Sequence, residues 1–95
     1  KIERAGVGDS SRGWGPPFVN GESAYFLSAN RNKRSLTLNL KQDAAKAIFH
    51  SLARRSDVFL VNQPRLASLQ RLQAEYDTLS ALNPRLIYCS ITGYG

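Results

Sequence analysis

The chain has little of what metal sites, disulfides and catalytic triads require. Its 95 residues include one cysteine, Cys89, one histidine, His50, and no methionine. A single cysteine cannot form a disulfide within the chain, and Cys89 lies in the apolar run "LIYCSI", where we expect a buried, inert thiol. One histidine and one distant cysteine cannot build a metal site. No carboxylate is spaced to orient His50, so we predict a partly exposed helix residue without a catalytic role.

The chain also lacks a long apolar run. A transmembrane helix needs about 20 consecutive, predominantly apolar residues, and no stretch of this sequence approaches that length. We therefore predict that it does not span a membrane. The sequence begins at "KIER" without methionine and without the zones of a signal peptide. From this we expect an internal segment of a longer protein.

Negative charge is scarce. Seven Asp and Glu residues stand against thirteen Lys and Arg residues, and the formal net charge is +6. Such a balance favours an anionic partner: nucleic acid, an acidic surface or a phosphorylated cofactor. The aspartates suit local roles in a turn, a helix first turn, a strand start and a helix surface, so none is predicted to be a nucleophile (Asp9, Asp43, Asp57 and Asp77).

Glycine and proline are concentrated near the beginning of the chain. Residues 5 to 23 hold five of the seven glycines, together with Pro16 and Pro17. This composition predicts a long irregular loop, which in a compact domain is usually functional or belongs to an interface. The loop contains "GVGD", which resembles part of a dinucleotide fingerprint but lacks a third glycine at the required spacing. Two interpretations of "GVGD" therefore stay open, a phosphate-binding loop and a plain turn.

Hydrophobic periodicity predicts the first strand and helix after this loop. Leu36, Leu38 and Leu40 occupy alternate positions, which indicates a half-buried strand over residues 35 to 40. A helix is predicted over residues 42 to 55, with an apolar stripe at helical spacing and acidic and basic residues at its first and last turns. The stripe consists of Ala45, Ile48, Phe49 and Leu52.

The second half of the chain predicts two buried strands joined by a helix. The continuous apolar runs at 57–61 and at "RLIYCSI" are typical of parallel strands covered on both faces. Between them a helix is predicted over 68–82, ended by Asn83 and Pro84, with its apolar stripe at Leu69, Leu72, Tyr76 and Leu79. The order predicts an α/β fold with a Rossmann-like parallel sheet and flanking helices. Ligands bind such sheets at the carboxyl ends of the strands, here near Arg4, near Asn62 and at the "TGYG" tail.

A cluster of cations, Arg31, Lys33 and Arg34, precedes the first leucine-rich strand. Together with nearby Tyr25 and Phe26 it could bind a single-stranded nucleic acid, since cations and aromatic rings combine in such sites. A solvated basic loop explains the same composition. A basic nucleic-acid-binding module is therefore one alternative function.

Four stretches carry a family resemblance: "KIERAGVGDSSRGWGPPF", "ESAYFLSANRNKRSLTLNLK", "SDVFLVN" and "NPRLIYCSITGYG". In this order they resemble the N-terminal region of the class III coenzyme A transferases, a family that includes formyl-CoA transferase and the related α-methylacyl-CoA racemase. The resemblance implies that residues 1–95 form a partial CoA-binding Rossmann-like domain. That segment would lack the first strand and helix and all of the downstream chain.

The resemblance implies an enzyme that moves CoA from an acyl-CoA to a carboxylic acid through an aspartyl intermediate, with the catalytic aspartate beyond Gly95. Coenzyme A would be a substrate, with no tightly bound cofactor, no metal and no nucleic acid. The full-length protein would be an interlocked homodimer in the cytoplasm, or in mitochondria of a eukaryote, and this segment alone would be inactive. A racemase-like enzyme and a structural assembly piece stay open as alternatives.

Five residues match positions that bind CoA in the family, as the resemblance implies. They are Arg4, Leu38 beside the adenine, Lys41, Asn62, and Arg71 near the phosphates. The cations Arg31, Lys33 and Arg34 could contact phosphate or hold a loop or the dimer. Two stretches depart from the family pattern: "VNQPRLA" replaces the usual "ENFRPG", which puts Gln63 at an aromatic position, and "LQAEYD" replaces the usual "GLGYE".

Overall fold

Short strands and helices alternate along the chain in a computed structural model that describes residues 1–63 and 65–93. These residues form two compact units, Lys1–Asn39 and Leu40–Gly95. The described strands pair into three two-stranded sheets. None of the described helices is long and apolar enough to cross a bilayer.

In the first unit, strand β1 (Ile2–Glu3) pairs in parallel with strand β4 (Leu36–Thr37). Glu3 lies opposite Thr37, and the Leu38 amide donates to the Glu3 carbonyl at 3.0 Å. Strand β4 is shorter than the predicted strand over residues 35–40. The reason is that β1 ends at Glu3, because the Arg4 carbonyl accepts from the Gly8 amide at 3.0 Å and closes a turn. The hydrogen bonds between β1 and β4 therefore end at the one from the Leu38 amide to the Glu3 carbonyl.

The predicted irregular loop over residues 5–23 is wrong in part, because it contains regular structure. A 3₁₀ helix spans Ser10–Gly13, and strands β2 (Phe18–Val19) and β3 (Glu22–Ser23) form an antiparallel hairpin. The two residues between these strands, Asn20 and Gly21, have φ of 51° and 79°. Positive φ at both positions is what a two-residue type I′ hairpin turn requires, and Asn-Gly is its preferred sequence.

Helix α1 (Ala24–Ala29) was not predicted from periodicity. The Ser23 side chain caps its amino end by accepting from the Phe26 amide at 3.1 Å. The Lys33 ammonium donates to the Ala29 carbonyl at 2.8 Å, where the negative end of the helix dipole favours a cation. A helix of six residues is too short to show a repeating apolar stripe, so its capping residues carried the only signal.

In the second unit, helix α2 (Asp43–Arg54) confirms the prediction over residues 42 to 55. Ala45, Phe49 and Ala53 are buried along one face at a spacing of four residues. Ile48, which was placed on the same stripe, is 49% exposed. Asp43 in the first turn and Arg54 in the last complement the helix dipole, as predicted.

Strands β5 (Val58–Val61) and β6 (Ile87–Ser90) pair in parallel, with Val58 opposite Ile87. Their helical crossover confirms the predicted α/β fold class. One face packs inward, where the Phe59 and Tyr88 rings lie 5.1 Å apart. The prediction that both faces are covered is wrong within the described chain, because Val58, Leu60 and Ile87 are more than half exposed. Cys89, expected to be buried, is exposed on this strand as well.

The single helix predicted over residues 68–82 is wrong, because the structure has two: α3 (Leu66–Leu72) and α4 (Tyr76–Leu82). Gln73 ends α3 in the left-handed conformation, with φ 52° and ψ 43°. His50 Nε2 donates to the Gln73 carbonyl at 2.9 Å and holds this break against α2. Glycine is preferred at such a position, and this chain has glutamine there.

Candidate functional site

The structure brings Arg4 and Leu38 together at the carboxyl end of the β1–β4 pair. Arg4 follows β1 directly, and Leu38 follows β4 directly. Glu3 and Leu38 are joined by the amide–carbonyl bond of 3.0 Å, so Leu38 is fixed next to the residue that precedes Arg4. Arg4 is exposed and Leu38 is half-buried. A guanidinium group and an apolar side chain therefore lie at one edge of a parallel strand pair, where ligands of α/β folds bind.

Beneath this edge, the Glu3 carboxylate is the centre of a buried hydrogen-bond network. Glu3 is 5% exposed. Arg12 binds it with two bonds, Nε to Oε2 at 2.8 Å and Nη2 to Oε1 at 2.9 Å. The Asp9 amide donates to Oε2 and the Ser35 hydroxyl to Oε1, each at 2.8 Å. Above all the Arg12 side-chain bonds hold the pKa of Glu3 well below its ordinary value, so the carboxylate stays ionised.

Asp9 forms a second acidic centre beside this network. Its Oδ2 lies 2.5 Å from Lys1 Nζ, and its Oδ1 accepts from the Ser11 hydroxyl and amide. The Lys1 and Ser11 contacts lower the pKa of Asp9 to about 2. Lys1 and Arg12 also cover the buried Phe26 ring, at 4.8 Å and 4.0 Å from its centroid. The carboxylates, the cations and the ring thus form one packed cluster under the loop.

The lowered pKa values predict a pH-dependent difference between wild type and Glu3→Gln. A carboxyl group whose pKa is lower in the folded state stabilises it fully above the unfolded pKa, about 4.3 for Glu, and less as pH falls further. We therefore expect the melting temperature of the full-length wild type to exceed that of Glu3→Gln most at pH 6. The difference should shrink between pH 4 and pH 2.5. A constant difference across this range would contradict the network, and Glu22→Gln, which changes an exposed residue, is the control.

The "GVGD" stretch forms a turn. Two of its amides are already used, since Gly8 donates to the Arg4 carbonyl and Asp9 donates to the Glu3 carboxylate. A phosphate cradle needs such amides to point at the ligand. The structure therefore favours the plain turn over the cradle, and it makes this turn the connection from Arg4 to the 3₁₀ helix.

The basic cluster before β4 has at least one structural role. The Lys33 ammonium donates to the carboxyl end of α1, and the Arg34 carbonyl accepts from the backbone nitrogen of Lys1 at 2.7 Å. Phe26 is only 8% exposed, so it offers no open face for stacking a base, whereas Tyr25 is 56% exposed and its ring lies 5.0 Å from that of Trp14. These contacts give less support to the nucleic-acid alternative than the composition did.

The second unit carries the remaining three predicted site residues. Asn62 is exposed and follows β5 at its carboxyl end, at the same edge as Ile91, whose amide donates to the Val61 carbonyl at 2.9 Å. Arg71 is exposed in the last turn of α3, and no hydrogen bond joins it to Asn62 among the described residues. Lys41 is exposed directly before Gln42, the N-cap residue of α2. Pro64 of "VNQPRLA" and the last two residues of the "TGYG" tail, Tyr94 and Gly95, lie outside the described residues.

Sequence reasoning missed Glu3 and Arg12. Their pairing joins residues nine positions apart, and the Ser35 contact spans 32 positions, so no periodic pattern shows either one. One signal was present. Glu3 directly precedes Arg4, where the sequence analysis places the carboxyl end of a strand, and a charged side chain in a strand is usually paired when it is buried.

Comparison with known proteins decides the family. The sequence matches CoA-transferase family III over residues 1–95. The chain belongs to this family. This confirms the resemblance carried by the four quoted stretches.

Two curated relatives and one solved structure match all or nearly all of the segment. Over 95 residues the chain is 48% identical to a mouse succinyl-CoA:glutarate CoA-transferase, covering 100% of this chain and 22% of that protein. It is 44% identical to an acetyl-CoA:oxalate CoA-transferase of Acetobacter aceti, covering 100% and 24%. A CAIB/BAIF family protein from Brucella suis has a TM-score of 0.88 and 40% identity, over 99% of this chain and 25% of that one. The chain thus spans about a quarter of the length of these proteins.

Proposed function

We propose that the full-length protein transfers coenzyme A from an acyl-CoA to a carboxylic acid, and that residues 1–95 supply part of the site for the CoA nucleotide. Membership of family III supports the reaction. The relatives are named for different donors and acceptors, and the two acceptors quoted above, glutarate and oxalate, are both dicarboxylic acids. A dicarboxylic acid is therefore the acceptor class we propose.

One observation supports the nucleotide site: Arg4 and Leu38 directly follow two paired parallel strands, at the same carboxyl edge. CoA carries a 3′-phosphate and a pyrophosphate, and a guanidinium group binds phosphate oxygens with paired, charge-assisted hydrogen bonds. An apolar side chain beside it suits one face of the adenine. The net charge of +6 favours the same anionic ligand.

The chemical step belongs to an aspartate outside this segment. In the proposed reaction its carboxylate attacks the thioester carbonyl, which gives a mixed anhydride and releases CoA as a thiolate. The thiolate then attacks the aspartyl carbonyl, which releases the donor acid and leaves an aspartyl-CoA thioester. The acceptor carboxylate attacks this thioester, which gives a second mixed anhydride and frees the thiolate. The thiolate attacks the acceptor carbonyl, which forms the new acyl-CoA and regenerates the aspartate carboxylate. The described aspartates fit local roles instead: Asp9 caps the 3₁₀ helix and Asp43 lies in the first turn of α2. The interlocked homodimer and the cytoplasmic or mitochondrial location stay predictions.

A transfer assay on the full-length protein tests the proposal. We expect succinyl-CoA and glutarate, or succinyl-CoA and oxalate, to give the new acyl-CoA, detected by chromatography. Acetate is the control for a requirement for two carboxylates. If the protein neither binds CoA nor forms a new acyl-CoA with any of these acids, the proposed function is wrong.

Arg71→Ala tests the contribution of the second unit. We expect it to weaken CoA binding by about 1.5 kcal/mol, the low end for a hydrogen bond to a charged group, because the side chain is exposed to water. Arg85→Ala is the matched control. It removes the same charge from an exposed residue before β6, at the amino end of that strand. Isothermal titration with CoA should separate the two variants, and equal affinities would remove Arg71 from the site.

A further inference from the structure

We propose that Glu3 is a positioning residue of the CoA nucleotide site, holding Arg4 and Leu38 in their binding geometry without touching the nucleotide. This inference rests on the proposed function. The backbone of Glu3 already joins the two residues, since Arg4 is its neighbour and the Leu38 amide donates to its carbonyl at 3.0 Å. Any rotation or shift of Glu3 therefore moves both.

The carboxylate of Glu3 ties together the segments on either side of the site. Oε2 accepts from the Asp9 amide and from Arg12 Nε, which fixes the turn that follows Arg4. Oε1 accepts from the Ser35 hydroxyl and from Arg12 Nη2, which fixes the approach to β4 and hence Leu38. In a simple surface ion pair, a carboxylate contacts only one partner side chain. Here one buried carboxylate accepts from four donor atoms on three residues, two in the turn and 3₁₀ helix after Arg4 and one directly before β4.

Whether CoA binding becomes weaker or stronger when the Glu3 charge is removed distinguishes a positioning role from a purely electrostatic one. A negative charge next to a phosphate site opposes phosphate binding, so removing it would strengthen binding if charge alone mattered. In this structure Arg12 already neutralises the carboxylate through two bonds. A positioning role predicts the opposite outcome, weaker binding, when Glu3 becomes the neutral and nearly isosteric glutamine.

The test is a double-mutant cycle in the full-length enzyme, combining Glu3→Gln with Arg4→Ala. We expect Glu3→Gln to raise the KM for acyl-CoA about tenfold, with kcat and the KM for the acceptor acid within about twofold. In the Arg4→Ala background the same change should raise the acyl-CoA KM by less than about threefold, the part that acts through Leu38, because residues that act through each other are not additive. An equal rise in both backgrounds, or a lower KM in the wild-type background, would overturn the proposal.

A milder pair of variants covers the case in which Glu3→Gln does not fold. Ser35→Ala removes one of the four donors, and we expect it to raise the acyl-CoA KM about threefold in the wild-type background only. Ser28→Ala is the control, since that hydroxyl bonds only to the Tyr25 carbonyl among the contacts described in α1. Identical KM values for both serine variants would overturn the proposal while leaving the transfer activity of the wild type, and with it the proposed function, in place. A wild type without transfer activity would instead overturn the proposed function itself.

Discussion

Replacing Gly8 by alanine should lower the free energy of unfolding of the full-length protein by about 2–4 kcal/mol. Two costs combine at this position. Gly8 has φ of +67°, a left-handed conformation that costs an alanine roughly 1–2 kcal/mol. A β-carbon there would also lie 2.8 Å from Glu3 Oε2 and 3.0 Å from Arg12 Cδ. Since that carboxylate is fixed by four hydrogen bonds, making room for the methyl group breaks part of the network.

Two other glycines separate these costs. Gly6 also has positive φ, +86°, but nothing lies within 4 Å of an added β-carbon, so Gly6→Ala should cost only the backbone part, about 1–2 kcal/mol. Gly13 has neither feature, so Gly13→Ala should change stability by less than about 0.5 kcal/mol. Denaturant unfolding gives the three values. Equal losses for Gly8→Ala and Gly6→Ala would mean that the Glu3 network does not pack against the turn.

Strong periodic patterns predicted the parts of the fold that they span. Helix α2 was found because its buried face repeats over twelve residues, and β5 and β6 were found as continuous apolar runs. Their parallel pairing followed from the helical segment between them. The break at Gln73 could not be found in this way. Leu69 and Leu79 are both buried as the stripe required, and only the left-handed backbone between them shows that the two helices are separate.

The hydrophobic patterns predicted neither the shortest elements nor which apolar residues are exposed. The hairpin of β2 and β3 has two residues in each strand, and its Asn-Gly turn was the usable signal. Cys89 shows the limit of local composition. An apolar run predicts burial, but alternate residues of a strand point to opposite faces, and in the described chain the face of Cys89 has no covering element.

For the candidate site, the sequence identified the ends of the strands, and the structure identified what holds them. Arg4 and Leu38 were named from the family resemblance, and the pairing of β1 with β4 brings them to one edge. Their support by Glu3 depends on hydrogen bonds between residues far apart in the sequence. Such contacts follow from tertiary structure, so single-sequence reasoning had no access to them.

Arg4→Ala is the second substitution for which we expect a large effect, here on the affinity for CoA. It tests the central claim that this segment binds the CoA nucleotide. Arg4→Ala removes a guanidinium group that would bind a phosphate with charge-assisted hydrogen bonds, each contributing about 1.5–3 kcal/mol. The change lies on the exposed edge, outside the buried network of Glu3, so the fold should persist. Arg85→Ala again serves as the charge-matched control.

Isothermal titration of CoA into full-length wild type, Arg4→Ala and Arg85→Ala tests this claim most directly. We predict that Arg4→Ala weakens CoA binding by about 1.5–3 kcal/mol, a loss of roughly ten- to a hundredfold in affinity. Arg85→Ala should bind within about twofold of wild type. Equal affinity of Arg4→Ala and wild type for CoA, with both proteins folded, would contradict the account.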